Sequence, residues 1–356
     1  MDINLFLTMA NINVIECLSK IDKCGYGILY VVDFSGKLIG CVSDGDIRRW
    51  IIKTNDLTAS VTAFMNTNPK FVYEDKKDAV DEFKNKCLIN SLPVLNRNNE
   101  IVDIIILGRK GNESVKKTNN ILFTAPVIVM AGGKGTRLYP YTKILPKPLI
   151  PIGDTPILER IFDKFQEYGI CKFYLTVNYK KSMIKSYFNE IDHSYEIIYI
   201  EEDEPLGTAG SIKLIKESFK EPIIVANCDQ IINADYKDLY EYHKKSGNII
   251  TIVSALKNFK VPYGVLKTKE NGEVVQMEEK PTISYFVNTG MYVVNPEVIS
   301  LIPDHKMFHM TQLIETAQKN GKQVGIYPVS EDSFLDMGEF GEMKRMEEKL
   351  NVFGDE

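Results

Sequence analysis

The sequence is poor in several features that mark other classes of protein. Six cysteines are spread over 356 residues without a C-x-x-C pair or zinc-ligand spacing, which argues against a zinc module or a disulfide scaffold. Apolar runs stay short of the ~18 to 20 residues that span a bilayer. The N-terminus lacks the basic region and apolar core of a secretory signal. We therefore expect reduced thiols, a cytoplasmic location and no membrane partner.

Charge of one sign is also not in large excess. The formal net charge is −5 and the sequence pI is about 5.6, so no overall field attracts nucleic acid, and we expect no nucleic-acid partner. Any phosphate must be bound by locally concentrated lysines and arginines. The hydrophobic content of 44% with 26% charged residues is ordinary for a globular protein, and the length predicts two or three domains.

A glycine-rich turn follows a short apolar run near the middle of the chain. Pro126–Val129 is typical of a buried strand of a parallel sheet. Glycines at 132, 133 and 135 then remove side chains where the chain leaves the strand. Backbone N–H groups can approach an anion closely at such a turn. The pattern predicts a phosphate-binding turn with contacts from Gly132, Gly133 and Gly135.

Three cations surround the same turn. Arg137 can grip phosphate oxygens with two donors at once, while Lys134 and Lys147 are mobile point charges. Two familiar phosphate loops do not match. A P-loop needs Ser or Thr after its Gly-Lys, but Gly135 follows Lys134, and the G-x-G-x-x-G fingerprint is absent. The pattern predicts a polyphosphate site of another kind.

The stretch from Gly133 to Leu149 resembles the signature of sugar-phosphate nucleotidyltransferases, G-x-G-T-R-L-x-P-x-T-x-x-x-P-K-P-L, at every defined position. The resemblance implies transfer of a nucleotidyl group from a nucleoside triphosphate to a sugar 1-phosphate, with release of pyrophosphate. It implies that Arg137, Lys147 and Lys134 are catalytic and that Thr136 joins the glycines in binding the nucleotide.

Strands alternate with helices from Ala125 onward, which predicts an α/β fold with a Rossmann-like, mostly parallel sheet covered on both faces. The predicted strands are Phe173–Val177, Ile197–Ile200, Pro222–Ala226 and Ile249–Ala255, and the predicted helices are Ile157–Glu167, Gly210–Glu217 and Leu239–Lys244. Such sheets bind ligands at the carboxyl ends of their strands, where the glycine turn would lie.

Two aspartates are candidate ligands for Mg²⁺, the expected cofactor, because this ion prefers oxygen ligands. Asp229 ends the apolar strand Ile223–Cys228, and Asp336 lies in F-L-D-M-G. The two segments resemble the family's G-D and D-I-G motifs, with Cys228 where glycine is usual. The alternative for Asp229 is a helix or turn cap. His305 and His309, one helical turn apart, are an alternative zinc pair that lacks an acidic or cysteine partner nearby.

Four further segments resemble the family's base and sugar motifs in the expected order. L-G-T-A-G implies nucleotide contacts, and Y-G-V, E-K-P and N-T-G imply contacts to the sugar phosphate. The residues implied are Gly207, Thr208 and Ala209 for the nucleotide, and Gly264, Glu279, Lys280 and Asn288 for the sugar phosphate. A plain glycine turn at a helix start is the alternative for the first motif. The acidic run 201–204 either favours an amino sugar or is a solvated loop.

The N-terminal third contains a diverged repeat. Ile28–Val42 and Ser91–Ile106 each read as strand, turn, strand after a predicted amphipathic helix, at Val14–Ile21 and Lys77–Cys87 respectively. The repeat resembles a tandem CBS pair, which implies a homodimer or higher homo-oligomer. In the first copy Ser43 and Asp46 resemble a motif that binds the ribose of adenine nucleotides; Ile106 and Arg109 replace it in the second. The pair is either a nucleotide sensor or a packing and dimerisation module.

We therefore expect a CBS pair at 1–112, a polar linker at 113–124 and a nucleotidyltransferase domain at 125–356. This order of domains is similar to that of the glucosamine-1-phosphate guanylyltransferases of bacterial legionaminic acid synthesis, which implies GTP and glucosamine 1-phosphate as partners. Mannose, heptose or N-acetylglucosamine 1-phosphate, with GTP or UTP, are alternatives. A catalytically silent nucleotide-sensing regulator is the alternative outside the enzymes. A glycosyltransferase would want a D-x-D motif, which Asn227–Asp229 does not supply.

Overall fold

The computed structural model describes residues 2–75, 91–107 and 125–350. The chain divides into two compact units, Met1–Lys116 and Lys117–Glu356. The linker predicted at 113–124 and the helix predicted at Lys77–Cys87 lie outside the described residues, as does Arg109. The domain limits drawn at 112 and 125 stay predictions.

The first unit is built from two small sheets of the same design. Each has three strands, with a parallel first pair and an antiparallel second pair. The strands are β1 (Leu7–Met9), β2 (Ile28–Val32) and β3 (Leu38–Ser43) in one sheet, and β4 (Val72–Tyr73), β5 (Ser91–Leu95) and β6 (Ile101–Ile106) in the other. The shared design confirms the predicted repeat.

Two helices of the first unit begin at capping boxes. The α1 helix (Val14–Cys24) starts after Asn13, and the α2 helix (Asp44–Thr54) starts after Ser43. In each case the cap side chain accepts the N3 backbone N–H while the N3 carboxylate accepts the cap's own N–H. Both helices end at a residue in the left-handed region, Gly25 and Asn55.

The second unit is an α/β domain around one large sheet. Its strands are β7 (Val127–Ala131), β8 (Pro151–Ile152), β9 (Thr155–Pro156), β10 (Lys172–Val177), β11 (Glu196–Glu201), β12 (Ile223–Asn227), β13 (Gln230–Ile232), β14 (Ile250–Lys260), β15 (Val265–Thr268), β16 (Val274–Glu278), β17 (Thr282–Val294), β18 (Val324–Ser330) and β19 (Phe334–Asp336). Its helices are α3 (Tyr141–Ile144), α4 (Ile157–Gln166), α5 (Lys181–Glu190), α6 (Gly207–Gly210), α7 (Tyr236–Ser246), α8 (Met310–Lys319) and α9 (Phe340–Lys349).

The large sheet has the strand order β11-β10-β7-β12-β17-β14-β18. Its neighbouring pairs are parallel except for the two that involve β17. Successive β7 residues point to two separate apolar clusters, Val127 and Val129 to one and Ile128 and Met130 to the other. The sheet is therefore buried on both faces, which confirms the predicted α/β class and explains the continuous apolar composition of its central strands.

One predicted helix is wrong. Instead of a helix over Gly210–Glu217, the chain forms the short α6 turn and then a 3-10 turn at Ser211–Leu214. The α6 turn begins at Gly207, whose φ of 76° lies in the left-handed region. Its backbone N–H groups at Ala209 and Gly210 both donate to the carbonyl of Phe308, so tertiary pairing replaces helical hydrogen bonds here.

The other helices and strands predicted for the second unit are present. The helices predicted at Ile157–Glu167 and Leu239–Lys244 are present as α4 and α7, and the α7 helix is longer at both ends. The predicted strands are also present, with β14 extended to Lys260. Among the described residues, no helix combines the length and the apolar character needed to cross a bilayer.

Candidate active site

The signature turn begins where the fully buried β7 strand ends, at the edge of the sheet. A side chain at Gly132 would place its Cβ 2.6 Å from Oε1 of Glu202. Gly135 has a φ of 65°, and a Cβ there would lie 2.9 Å from the side chains of Lys147 and Thr142. A Cβ at Gly132 would force the Glu202 carboxyl to shift, whereas glycine is required at Gly135 both for close packing and for the backbone conformation.

The three predicted cations differ in their surroundings. Lys134 and Arg137 are exposed on the turn, next to exposed Gly133 and Thr136. Lys147 begins a 3-10 turn after Pro146, and its side chain is only 14% exposed. Two cations thus face solvent, where a triphosphate can reach them, while the third is turned inward.

The inward lysine meets the first predicted metal ligand. The Lys147 ammonium group donates a hydrogen bond to Oδ2 of Asp229, whose side chain is 16% exposed. Asp229 follows β12, and Lys147 lies in the segment after β7, the strand that pairs with β12. The sheet therefore brings two residues together that are far apart in the sequence.

The second predicted metal ligand lies beside the first. Strand β13 begins directly after Asp229 and pairs antiparallel with β19, which places Gln230 opposite Asp336. The backbone N–H of Met337 also donates to the carbonyl of Asp229, at 2.9 Å. Burial, and then the negative charge of Asp229, raise the pKa of the Asp336 carboxyl, and Lys147 opposes this rise.

One oxygen of each aspartate is buried without a hydrogen-bond partner, Oδ1 of Asp229 and Oδ1 of Asp336. Such buried acceptors are costly unless a ligand completes them. Two carboxylates with spare oxygens fit Mg²⁺, which proteins commonly hold by one or two carboxylates together with substrate phosphates. No cluster of three or more His, Cys, Asp or Glu side chains suited to a metal occurs within 2–75, 91–107 and 125–350.

The predicted base-side turn is held by a neighbouring segment. Besides the two N–H groups that bond to Phe308, Oγ1 of Thr208 accepts the backbone N–H of Met310 at 2.9 Å. A Cβ at Gly207 would lie 2.8 Å from the carbonyl of Phe308. The residues predicted to contact the nucleotide, Gly207, Thr208 and Ala209, therefore form a braced turn with Thr208 exposed and Ala209 buried.

A buried carboxyl that the sequence analysis did not single out links the two turns. Glu202 is 4% exposed, and its Oε2 accepts the backbone N–H of Leu206 at 3.0 Å. Its Oε1 lies against Gly132 of the signature turn. Burial raises the pKa of this carboxyl, and the hydrogen bond from Leu206 opposes the rise. The neighbouring Glu201 is exposed and paired with Lys181 and Lys185, so the acidic run is not one solvated loop.

The N-T-G segment of β17 lies against the turn that carries Asp229. A Cβ at Gly290 would be 2.2 Å from Nδ2 of Asn227 and 2.5 Å from Oε1 of Gln230. Asn288 is exposed, but its side chain donates to the hydroxyl of Tyr292 at 2.8 Å and accepts the N–H of Gly290 at 2.9 Å. The structure thus places the N-T-G segment beside the turn that carries Asp229.

The other sugar-side residues lie together around a two-stranded sheet. Strands β15 and β16 pair antiparallel, and a Cβ at Gly264 would lie 3.0 Å from Oε2 of Glu279. Glu279 and Lys280 are exposed, with Nζ of Lys280 3.7 Å from Oε1 of its neighbour. Lys280 has a φ of 47°, unusual for a residue with a side chain. These contacts join the Y-G-V and E-K-P motifs to each other.

The alternative zinc pair is not supported. His305 lies in a turn with a φ of 49°, and His309 is the N-cap residue of α8. The two histidines therefore do not share a helix face. His309 instead lies against the base-side turn, with its Nδ1 3.0 Å from a Cβ built at Gly207.

In the first unit, the predicted ribose-binding pair forms the α2 capping box. Oδ2 of Asp46 accepts both the N–H and the hydroxyl of Ser43, at 2.9 and 2.6 Å. Oδ1 of Asp46 accepts from Arg49 at 2.6 Å. Protein donors therefore occupy both carboxylate oxygens, which suits a structural role, and an adenine nucleotide at this site stays a prediction.

Comparisons with known proteins assign a family to each part of the chain. The family model described as Nucleotidyl transferase matches residues 126–351, and the CBS domain model matches 2–53 and 61–108. Among curated relatives, a UTP--glucose-1-phosphate uridylyltransferase of Synechocystis is 31% identical over 51% of this chain and 52% of its own length. A mannose-1-phosphate guanyltransferase of Debaryomyces hansenii is 34% identical over 49% and 51%. The chain spans about half the length of these curated relatives.

A solved structure covers a larger share of the chain than these relatives do. HddC from Yersinia pseudotuberculosis aligns with a TM-score of 0.50 and 26% identity, covering 64% of this chain and 100% of that one. The matched family region contains the signature turn, Asp229 and Asp336. The chain therefore belongs to the nucleotidyl transferase family, and a pair of CBS domains precedes its family domain.

Proposed function

We propose that the protein is a sugar-1-phosphate nucleotidyltransferase, which joins a nucleoside triphosphate to a sugar 1-phosphate and releases pyrophosphate. The observation that carries the proposal is the group formed by Lys147, Asp229 and Asp336 beside the glycine turn. This group combines a cation with two carboxylates that have spare buried oxygens. Such a group suits a reaction between two polyanions, where charge neutralisation and positioning supply most of the catalysis.

Asp229 and Asp336 would hold Mg²⁺, which when bound would neutralise charge on the triphosphate. Exposed Lys134 and Arg137 bind the triphosphate. Lys147 stabilises the charge that develops on the α-phosphate. These roles leave no covalent intermediate on the protein.

The transfer needs no general base, because the sugar phosphate is already ionised near neutral pH. One of its phosphate oxygens forms a bond to the α-phosphorus in line with the leaving group. The bond from the α-phosphorus to the bridging oxygen breaks, and pyrophosphate leaves with the electron pair. Glu279, Lys280 and Asn288 orient the sugar phosphate for this attack, and the β15–β16 hairpin presents the first two.

For the nucleobase we propose guanine. A buried carboxyl group beside the base-side turn, Glu202, offers acceptor oxygens to the N1–H and N2–H donors of guanine, whereas uracil offers a single N–H. Curated relatives include both a mannose-1-phosphate guanyltransferase and a glucose-1-phosphate uridylyltransferase, so the comparisons leave guanine and uracil open. For the sugar we propose glucosamine 1-phosphate, because a CBS pair precedes the transferase domain in this chain.

Pyrophosphate release tests the proposal. The full chain is assayed with Mg²⁺ against the four common nucleoside triphosphates and a panel of glucose, glucosamine, N-acetylglucosamine, mannose and heptose 1-phosphates. We expect the strongest release with GTP and glucosamine 1-phosphate. Strong release with another pair would support the assigned reaction but contradict the assigned substrates. No release with any pair would contradict the proposed function.

A further inference from the structure

Gln230 occupies a position between the two proposed metal ligands. It follows Asp229 directly in the chain and is the first residue of β13. In the β13–β19 pairing it lies opposite Asp336. Residues directly opposite in an antiparallel pair have side chains on the same face, with Cβ atoms about 5 Å apart. The side chains of Gln230 and Asp336 are therefore neighbours.

The orientation of the Gln230 amide is fixed by its contacts. Its Oε1 accepts a hydrogen bond from Nδ2 of Asn227 at 3.2 Å, so the carbonyl end is turned toward β12 and Gly290. The amide nitrogen carries two donors and no acceptor. With the carbonyl end held there, the nitrogen end lies on the side of Asp336, and the Gln230 side chain acts as a donor that lowers the pKa of the Asp336 carboxyl, against the larger effect of burial.

The Asp336 carboxylate has neighbours on two sides. The backbone of Gly338, like the Gln230 side chain, lowers the pKa of this carboxyl. A Cβ at Gly338 would lie 3.0 Å from Oδ2 of Asp336, so a larger residue would crowd the carboxylate. Oδ1 nevertheless stays without a partner. The carboxylate is thus oriented by neighbours that leave one oxygen for a ligand.

We propose that Gln230 is a positioning residue for the metal site, which acts by holding Asp336 in the orientation that binds a divalent cation. This inference rests on the proposed function, because it takes Asp229 and Asp336 to be the metal ligands. Partners that orient metal-binding carboxylates commonly affect metal affinity 10- to 100-fold. Through Asn227, the same amide also ties the orientation of Asp336 to the strand that carries the N-T-G motif.

The test compares Gln230→Met with the wild-type full chain. Methionine has a similar length but no amide donor. Mn²⁺ replaces Mg²⁺ as the probe, and its binding in the presence of GTP is followed by electron paramagnetic resonance, corrected for Mn²⁺ bound by GTP alone. We expect the Mn²⁺ dissociation constant to rise about 10-fold. In the turnover assay, the Mg²⁺ concentration for half-maximal rate rises to a similar extent, while the KM for sugar phosphate changes less than twofold.

A matched control and a double-mutant cycle separate positioning from packing. Gln318→Met makes the same change on the exposed end of α8 and leaves Mn²⁺ binding unchanged. Because Gln230 acts through Asp336, we expect Gln230→Met to add little to the loss of Mn²⁺ affinity that Asp336→Asn causes. Thermal unfolding without metal shows that each variant is folded. If Gln230→Met does not fold, Gln230→Leu and Gln230→Ala are measured in the same cycle.

The outcomes also separate this inference from the proposed function. Three results would overturn the positioning role of Gln230. They are equal Mn²⁺ affinity in wild type and Gln230→Met, additive effects on Mn²⁺ affinity in the double-mutant cycle, and no Mn²⁺ binding by the wild type. Loss of turnover that added Mg²⁺ does not restore, with unchanged Mn²⁺ affinity, also overturns it. Absence of pyrophosphate release from the wild type contradicts the proposed function, and the Mn²⁺ comparison still decides the role of Gln230.

Discussion

The ammonium group of Lys147 and the carboxylate of Asp229 form a hydrogen-bonded ion pair at the carboxyl edge of the large sheet. The lysine comes from the signature segment, and the aspartate comes from the end of a neighbouring parallel strand. Asp336 joins them from β19. The pair brings a positive group to the place where negative charge must be neutralised during the proposed transfer.

Replacing Arg137 tests the exposed part of the phosphate site. We expect Arg137→Ala to lower kcat/KM for the nucleoside triphosphate about 100-fold or more, the scale of losing one preorganised charged contact. Steady-state pyrophosphate release measures the effect. Lys319→Ala removes a cation from the exposed end of α8 and serves as the control. A decrease of less than about threefold in Arg137→Ala would exclude the assigned role.

Glu202→Gln tests the proposed base contact. Glutamine keeps a carbonyl oxygen for the Leu206 N–H but replaces the second acceptor with a donor, which mismatches guanine. We expect kcat/KM for GTP to fall about 10- to 100-fold, and that for UTP to change much less.

The neighbouring Glu201 provides the matched control for this experiment. Its carboxylate is paired with Lys181 and Lys185 at the surface, so Glu201→Gln should leave the ratio of the two kcat/KM values unchanged. An unchanged ratio in Glu202→Gln would refute the base contact, and an equal loss with both nucleotides would indicate a general structural role.

Two neighbouring glycines provide a test of the turn geometry. Gly135→Ala adds a Cβ that meets Lys147 and Thr142 and forces alanine into the left-handed region, which alone costs roughly 1–2 kcal/mol. Gly133 has open space around it and no positive φ. We expect Gly135→Ala to lower the Tm by about 4 °C or more, and Gly133→Ala to change it little. Similar Tm values for the two variants would contradict the described turn.

The burial of His243 makes the stability of the fold depend on pH. This residue is 1% exposed and its ring contacts Thr251 Oγ1 at 2.8 Å and Asn295 Oδ1 at 3.1 Å. Burial lowers its pKa, and the hydrogen bond with Asn295 opposes this effect. Since the unfolded chain binds the proton more readily, stability falls as the pH drops from about 6.5 toward the lowered pKa of the folded state.

Denaturant unfolding of wild type and His243→Gln between pH 5 and 8 measures this dependence. We expect the free energy of unfolding of the wild type to decrease more steeply below about pH 6.5 than that of the variant. The substitution also changes packing and so shifts the free energy of unfolding at every pH. The comparison therefore uses the slope of this free energy against pH. Parallel pH profiles would show that His243 makes no such contribution.

The sequence predicted the parts of the site that depend on local pattern. Apolar strands followed by Gly132 or Asp229 could be placed at one sheet edge, because parallel strands end on the same side. The helix predicted from Gly210 was wrong. The N–H of Gly210 donates to the carbonyl of Phe308, which is distant in sequence, and the chain continues as a 3-10 turn. Local propensity does not contain such tertiary pairing.

Two polar residues of the site could not be predicted for a related reason. Glu202 stands in a run of acidic residues that suggests a solvated loop, yet it is buried; its only signal was its place just before the L-G-T-A-G segment. Gln230 faces Asp336 only because β13 pairs with β19. Antiparallel pairing between short, distant strands leaves little trace in a single sequence.

The most direct test of the central claim is the rate of pyrophosphate release by wild type and by Asp229→Asn, measured side by side with saturating Mg²⁺ and the best substrate pair. The substitution keeps the shape of the side chain and removes the charge that Lys147 contacts. We predict a fall in kcat of about 100-fold or more in a variant that remains folded. A kcat within about threefold of wild type would contradict the assignment of this ion pair to the reaction.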